Sequence, residues 1–256
     1  MNDPTIFYFI KFFSEERYAD EFIKGRLYLN RLSYFKKIES NNDDGRADAN
    51  EAVAMWWQPH DLTIDLNIPG IGAVKITKDD LAGPVSMSFD YHDHFHIFCL
   101  YALHTTEFAT KGGKIDIEEG EVDELRRQLT IDERCFKFGP FAVITAAAPF
   151  LAQVKGAFQR SGQRVRGKLV EYYDDETFHG EIARADIPFK KQMRFSYEKE
   201  FRICVHTNTK GDDPLTIDMG DISHISAKVE SSRLNSIWQL NLEPAPFPPA
   251  SAAHAS

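Results

Sequence analysis

The hydrophobic and polar positions change period several times along the chain. The run "IFYFIKFF", Ile6 to Phe13, reads as a first strand. In "SEERYADEFIKG", Tyr18, Phe22 and Ile23 form a helical stripe, with Ser14 placed as an N-cap, an acidic first turn and Gly25 at the C-terminal cap. "RLYLN" predicts a second strand, and Glu39 to Glu51, "ESNNDDGRADANE", reads as a polar loop without core-forming residues. "VAMWWQ", "LTIDLNI" and "AVKIT" predict short strands divided by Pro and Gly, and "HIFCLYAL" is the continuous apolar run of a buried strand. Helices follow at "EGEVDELRRQL" and at "APFLAQVKGAFQRSG", the second opened by Pro149 and closed by Gly162. "FAVITA", "KLVEYY", "KEFRICVHT" and "HISAKVE" supply further strands. This order predicts an α+β protein with a central mixed or antiparallel sheet and about three main helices. One domain is expected over residues 1–243, followed by a Pro- and Ala-rich tail, 244–256, disordered or draped on the surface.

Composition narrows the partners. The 256 residues are 43% hydrophobic and 27% charged, enough to bury a substantial core. A net charge of -9 and a pI near 5.5 argue against non-specific binding to nucleic acid or anionic lipid, but the balance is not extreme and leaves room for a local basic patch. A small-molecule nucleotide or a protein target is equally open as a partner. The apolar start is too short to span a bilayer and lacks a basic n-region with a cleavage site. Cys99, Cys135 and Cys204 are far apart and no CxxC spacing occurs, so the chain is expected in the cytoplasm without a structural zinc site. Neither a GxSxG elbow nor a Gly-rich nucleotide signature is present.

Four stretches carry candidate chemistry. In "FSYEKEFRIC", read as a strand, Glu198, Glu200 and Arg202 share one face while Phe201, Ile203 and Val205 share the other. A solvated ion pair would explain this, but the reading favoured here is a pocket-facing cluster. The pocket is expected at a rim shared by the strand near Ile6 to Phe13 and the strand near Glu200 to Val205. His92, His94 and His96 would face one way on a strand, yet a histidine-x-histidine pair alone is a weak ligand signal and no metal is expected. "GRADANE" sets Arg46, Asp48 and Glu51 in a loop fit either for function or for local turns. The basic stretch Lys155 to Lys168, with Arg160, Arg164 and Arg166, could meet phosphate, but reads first as a solvated helix end.

Together, "FIKFFSEERYADEFIKGRLYLNRLSYFKKIE", "GRADANE", "FCLYAL" and "KQMRFSYEKEFRI" resemble a bacterial and phage family, the domain of unknown function twenty-nine seventy-one and its relatives, over roughly Phe7 to Val205. That family implies no particular activity. A more distant resemblance is to the ADP-ribosyltransferase fold. Its strand, glycine-ended helix and second strand look like "FIKFFSEERYADEFIKGRLYLN", and its catalytic glutamate strand looks like "EKEFRICV". The resemblance implies NAD as substrate, Glu200 as the catalytic carboxylate and Glu198 as the group orienting the acceptor. Tyr28 would line the nicotinamide pocket, Lys11 would hold ribose or diphosphate, and Arg46 and Arg202 would complete the NAD-binding set. The sequence departs from the fold's pattern in having Lys11 where arginine or histidine is usual, and "SMS" at Ser86 to Ser88 in place of Ser-Thr-Ser.

Three functions therefore compete. The first is an NAD-using ADP-ribosyltransferase or glycohydrolase, of the kind that serves as a toxin in bacterial or phage conflict. The second is a non-catalytic ligand- or protein-binding regulatory module. The third is a metal-dependent nuclease or phosphodiesterase built on Asp48, Glu51, Glu198 and Glu200.

Overall fold

A computed structural model describes residues 4–38, 50–106, 108, 110–111, 114–115 and 117–237. The loop carrying Arg46 and Asp48, and the tail 244–256, lie outside the described residues. The fold is α+β, built on one eight-stranded antiparallel sheet with small satellite sheets. Its strands are β1 (Thr5–Phe13), β2 (Arg26–Arg31), β3 (His96–Thr105), β4 (Phe141–Ala146), β5 (Val165–Leu169), β6 (Glu200–Val205), β7 (Leu215–Asp218) and β8 (Ser226–Glu230). The main path runs β5-β6-β3-β1-β4-β8, and β2 branches from β3 to carry β7.

Side-chain parity builds two layers on this sheet. Phe9, Phe98, Leu100, Phe201, Ile203 and Val205 face one side. There they pack under α1 (Glu16–Ile23) and the longest helix (Ala147–Arg160), whose Phe150, Val154 and Phe158 enter the same core. The opposite side carries two separate apolar clusters. One holds Ile10, Phe12, Tyr101 and Leu103, and the other Leu32, Ile97, Phe189 and Cys204. Glu200 and Arg202 lie between them.

The sheet is split beside β3. Its residues from Tyr101 to Thr105 pair with β1, while Ile97 and His96 pair with Asn30 and Arg31 of β2. On that edge no strand among the described residues covers Phe98 to Leu100. Lys11 Nζ donates instead to the Cys99 carbonyl at 2.8 Å, satisfying a backbone acceptor that the missing ladder leaves over. On the other edge β6 pairs with β3 in unbroken register, Arg202 opposite Cys99.

Several local expectations need correction. Helix α1 is entered through Glu15, not Ser14, and the cap makes no side-chain hydrogen bond. "KLVEYY" breaks at Val170, whose N–H bonds to the Glu200 carbonyl, and Glu171–Tyr173 leaves to form a parallel pair with Lys190–Gln192. The histidine segment is not a strand: Asp90–Asp93 is a single helical turn, His94 caps it and only His96 enters β3. No helix among the described residues is long and apolar enough to cross a membrane.

Gly25 ends α1 with φ +101, and a Cβ there would lie 2.3 Å from the Gly220 carbonyl oxygen. Gly72 has a similar φ, +100, in open space. Gly25→Ala is therefore expected to destabilise by about 2 kcal/mol or more, beyond the roughly 1–2 kcal/mol of backbone strain that Gly72→Ala carries alone. Urea unfolding of both variants checks this, and equal losses would refute the close approach.

Candidate active site

A cleft of about 620 Å³ opens at the split in the sheet. Its walls include Lys11 of β1, Tyr28 of β2, Cys99 of β3, and Glu200 and Arg202 of β6, with Glu51, Lys191 and Glu198 from the segments packed beneath. The structure thus brings Lys11, Tyr28, Glu198, Glu200 and Arg202 to one cavity. Strands β1 and β6 are not neighbours, because β3 runs between them.

Arg202 anchors the floor. It is 1% exposed, and all five N–H donors of its guanidinium are engaged. Nε and Nη2 reach the two oxygens of Glu200 at 2.7 and 3.1 Å. Nη1 and Nη2 reach the two oxygens of Glu51 at 2.6 and 2.8 Å, and Nη1 also reaches the Pro188 carbonyl at 2.8 Å. Two bidentate carboxylates on one fork hold it rigidly. Arg202 consequently has no donor left for a ligand and acts through Glu200 and Glu51.

Glu198 reaches this cluster by a route that strand parity does not describe. Residues Met193–Glu198 form a 3-10 helix, and Lys199 follows in the left-handed region at φ 38, ψ 49. Glu198 is therefore off the strand and not on a common strand face with Glu200. The turn nonetheless aims its carboxylate at Lys191 Nζ, 2.6 Å away, and the same ammonium lies 3.5 Å from Glu200. A left-handed lysine is disfavoured by about 1–2 kcal/mol, and its side chain offsets part of this by donating to the Gln128 carbonyl at 2.6 Å.

Three carboxylates, Glu51, Glu198 and Glu200, thus meet two cations, Lys191 and Arg202. One negative charge is in excess, and it falls on Glu198. Burial, reinforced by Glu200 and opposed by Lys191, pushes the Glu198 carboxyl up to about 7. Burial also disfavours the Glu200 anion, but Arg202 and Lys191 outweigh it and hold that carboxyl far below the usual range. Oε1 of Glu198 is buried without a hydrogen-bond partner. A carboxyl with a free oxygen and a proton exchanging near neutrality is equipped for acid–base work. Cys99 is not equipped as a nucleophile, since burial and the neighbouring Glu200 push its thiol well up.

Glu51 belongs to this site, whereas His94 and His96 have their partners elsewhere. Glu51 is 2% exposed and, like Glu200, bound through both oxygens to Arg202, so neither is disposed as a metal ligand. His94 contacts Asp90, and His96 contacts the Asp213 carbonyl and Thr207. Among the described residues no three His, Cys, Asp or Glu side chains form a group able to hold a metal. Sequence reasoning missed Lys191, whose only signal is its place in "KKQMRF". No protein-family model, curated protein or solved structure matches the chain.

Removing the guanidinium leaves buried Glu51 without its ion-pair partner and Glu200 with only Lys191, 3.5 Å away. Arg202→Met is expected to cost about 3–5 kcal/mol in urea unfolding, and a loss below about 1 kcal/mol, typical of a surface pair, would contradict the buried cluster. A pH dependence also follows. Between 4.5, the ordinary carboxyl value, and about 7, folded Glu198 keeps a proton that the unfolded chain has released. Its contribution to stability is full below that window and is lost as pH rises through it. Glu198→Gln, which cannot titrate there, should gain in melting temperature relative to the wild type as pH rises from 5 towards about 8. A difference independent of pH would rule the shift out.

Proposed function

We propose that the chain is an ADP-ribosyltransferase-like enzyme that cleaves the nicotinamide–ribose bond of NAD in the cleft at the sheet split. The observation carrying this reading is the excess carboxylate, Glu198, beside Tyr28 and Lys11 in one cavity. NAD bears a cationic ring at the bond that breaks, and the ribose develops oxocarbenium charge as nicotinamide leaves with the bonding electrons. A low-dielectric carboxylate site stabilises that charge. Glu198 then accepts the proton released when water, or a hydroxyl or amine of a protein target, attacks the ribose carbon. Glu200, held ionised by Arg202, positions and polarises the site. This reverses the roles that the resemblance implies for the two glutamates. Lys11 supplies positive charge near the diphosphate, and Tyr28 an aromatic face for a planar ring.

A binding module without chemistry is the second reading, favoured by the complete saturation of Arg202. Incubation with NAD, following nicotinamide release, separates the two. Wild type should turn over, and Glu198→Gln should lose roughly a hundredfold or more while remaining cooperatively folded at the assay pH. An NAD-dependent rise in melting temperature without nicotinamide release would shift the assignment to the binding module. Neither release nor a thermal shift would sink both NAD readings.

A further inference from the structure

A second cleft, of about 970 Å³, lies beyond Pro188 and Phe189. Its lining includes Arg164, Arg166, Arg184, His92 and His206 and no Asp or Glu, in a chain whose net charge is -9. The side chains of Arg164 and Arg184 are exposed and form no ion pair among the described residues. Arg166 is held in place: Nη1 donates to the Ala185 carbonyl at 2.6 Å, the guanidinium lies 5.2 Å from the Phe189 ring, and Asp186 is 4.0 Å away. His92 is 3% exposed, and its Nδ1 is buried without a partner, as is Oε1 of Gln163 in the same lining.

Beside these cations stands a set of rings. Tyr91 is 54% exposed and lies 4.7 Å from His206 and 5.2 Å from Phe95, its hydroxyl 3.0 Å from His206 Nδ1. Such an exposed ring is a surface on which a planar base can stack. Three arginines lining one cleft, Arg164 and Arg184 without an ion pair among the described residues, suit phosphate oxygens, and the Gln163 oxygen is an acceptor for a ribose hydroxyl or a base N–H.

The geometry points to a binding site for a nucleoside phosphate in this second cleft, with Arg164, Arg166 and Arg184 on the phosphate and Tyr91 against the base. The site is independent of the NAD reading of the first cleft. Of the basic stretch, Arg164 and Arg166 line this cleft, and Arg184, remote in sequence, joins them.

Calorimetric titration of the full chain with AMP, adenosine and inorganic phosphate tests the site. AMP should bind, adenosine more weakly. Arg164→Ser with Arg184→Ser should weaken AMP by at least about tenfold for each arginine, and both positions are exposed enough to leave the melting temperature unchanged. Tyr91→Ala should weaken AMP but not inorganic phosphate. A single-stranded oligonucleotide that displaces AMP identifies a strand as the natural source of the nucleotide, and failure to displace it identifies the free nucleotide. Absence of binding by AMP, phosphate and oligonucleotide at millimolar concentration would overturn the proposal. So would AMP binding that survives the double arginine variant but is lost in Tyr28→Ala, since that places the ligand in the first cleft.

Discussion

The guanidinium of Arg202 is the contact on which the site depends. It projects from β6, a strand flanked on both sides in the sheet, so its backbone cannot shift without breaking two ladders. Phe201 and Ile203 commit the strand's opposite face to the main core. The charge is therefore fixed where water cannot solvate it, and a buried cation must be paired and hydrogen-bonded to persist. Glu51, Glu200 and the Pro188 carbonyl meet that requirement together. In doing so they pin three chain segments to one point. The pairing also leaves Lys191 to serve Glu198, and its single ammonium does not fully compensate that carboxylate's burial.

The second constraint is strand divergence. Strand β1 pairs with β3 only as far as Ile10 and runs on to Phe13 beside β4 alone, while β2 meets β3 only at Asn30 and Arg31. The edge of β3 from Phe98 to Leu100 is therefore left uncovered by either. Lys11 bridges the gap with a side chain where a backbone ladder would have closed it. The charged floor alone would be a sealed ionic core, and the gap alone would be an empty slot. Their coincidence makes a cavity with chemistry at its base.

How much of this was legible in the sequence follows the range of each signal. Period-two alternation placed Phe201, Ile203 and Val205 in the core and Glu200 with Arg202 opposite, because parity is local to a strand. The same rule misplaced Glu198, since it assumes extended backbone through Lys199, where the chain turns left-handed. The histidines failed for a related reason: three residues at alternating positions share a face only in a strand, and Asp90–Asp93 is helical. Glu51 looked like a loop carboxylate because its partner lies 151 residues away. Lys191 carried no pattern, as its role comes from tertiary placement alone. The broad α+β architecture emerged because many short periodic segments agree with one another.

The two clefts share a wall, and its tethering ties the site's parts together. Arg202 and Cys204 point to the same side of β6, the first facing the cleft at the sheet split and the second the arginine-lined one. Between them runs Ala185 to Phe189. Its Pro188 carbonyl accepts from Arg202, and its Ala185 carbonyl accepts from Arg166. Both bonds are charge-assisted and so stronger than ordinary peptide contacts. The buried apolar side chains of Ile187 and Phe189 seal the wall against the sheet. A partition held by an arginine on either side keeps the buried Glu51, Glu198 and Glu200 cluster apart from Arg164, Arg166 and Arg184. The two sets of charges therefore serve different cavities although they hang from one short segment.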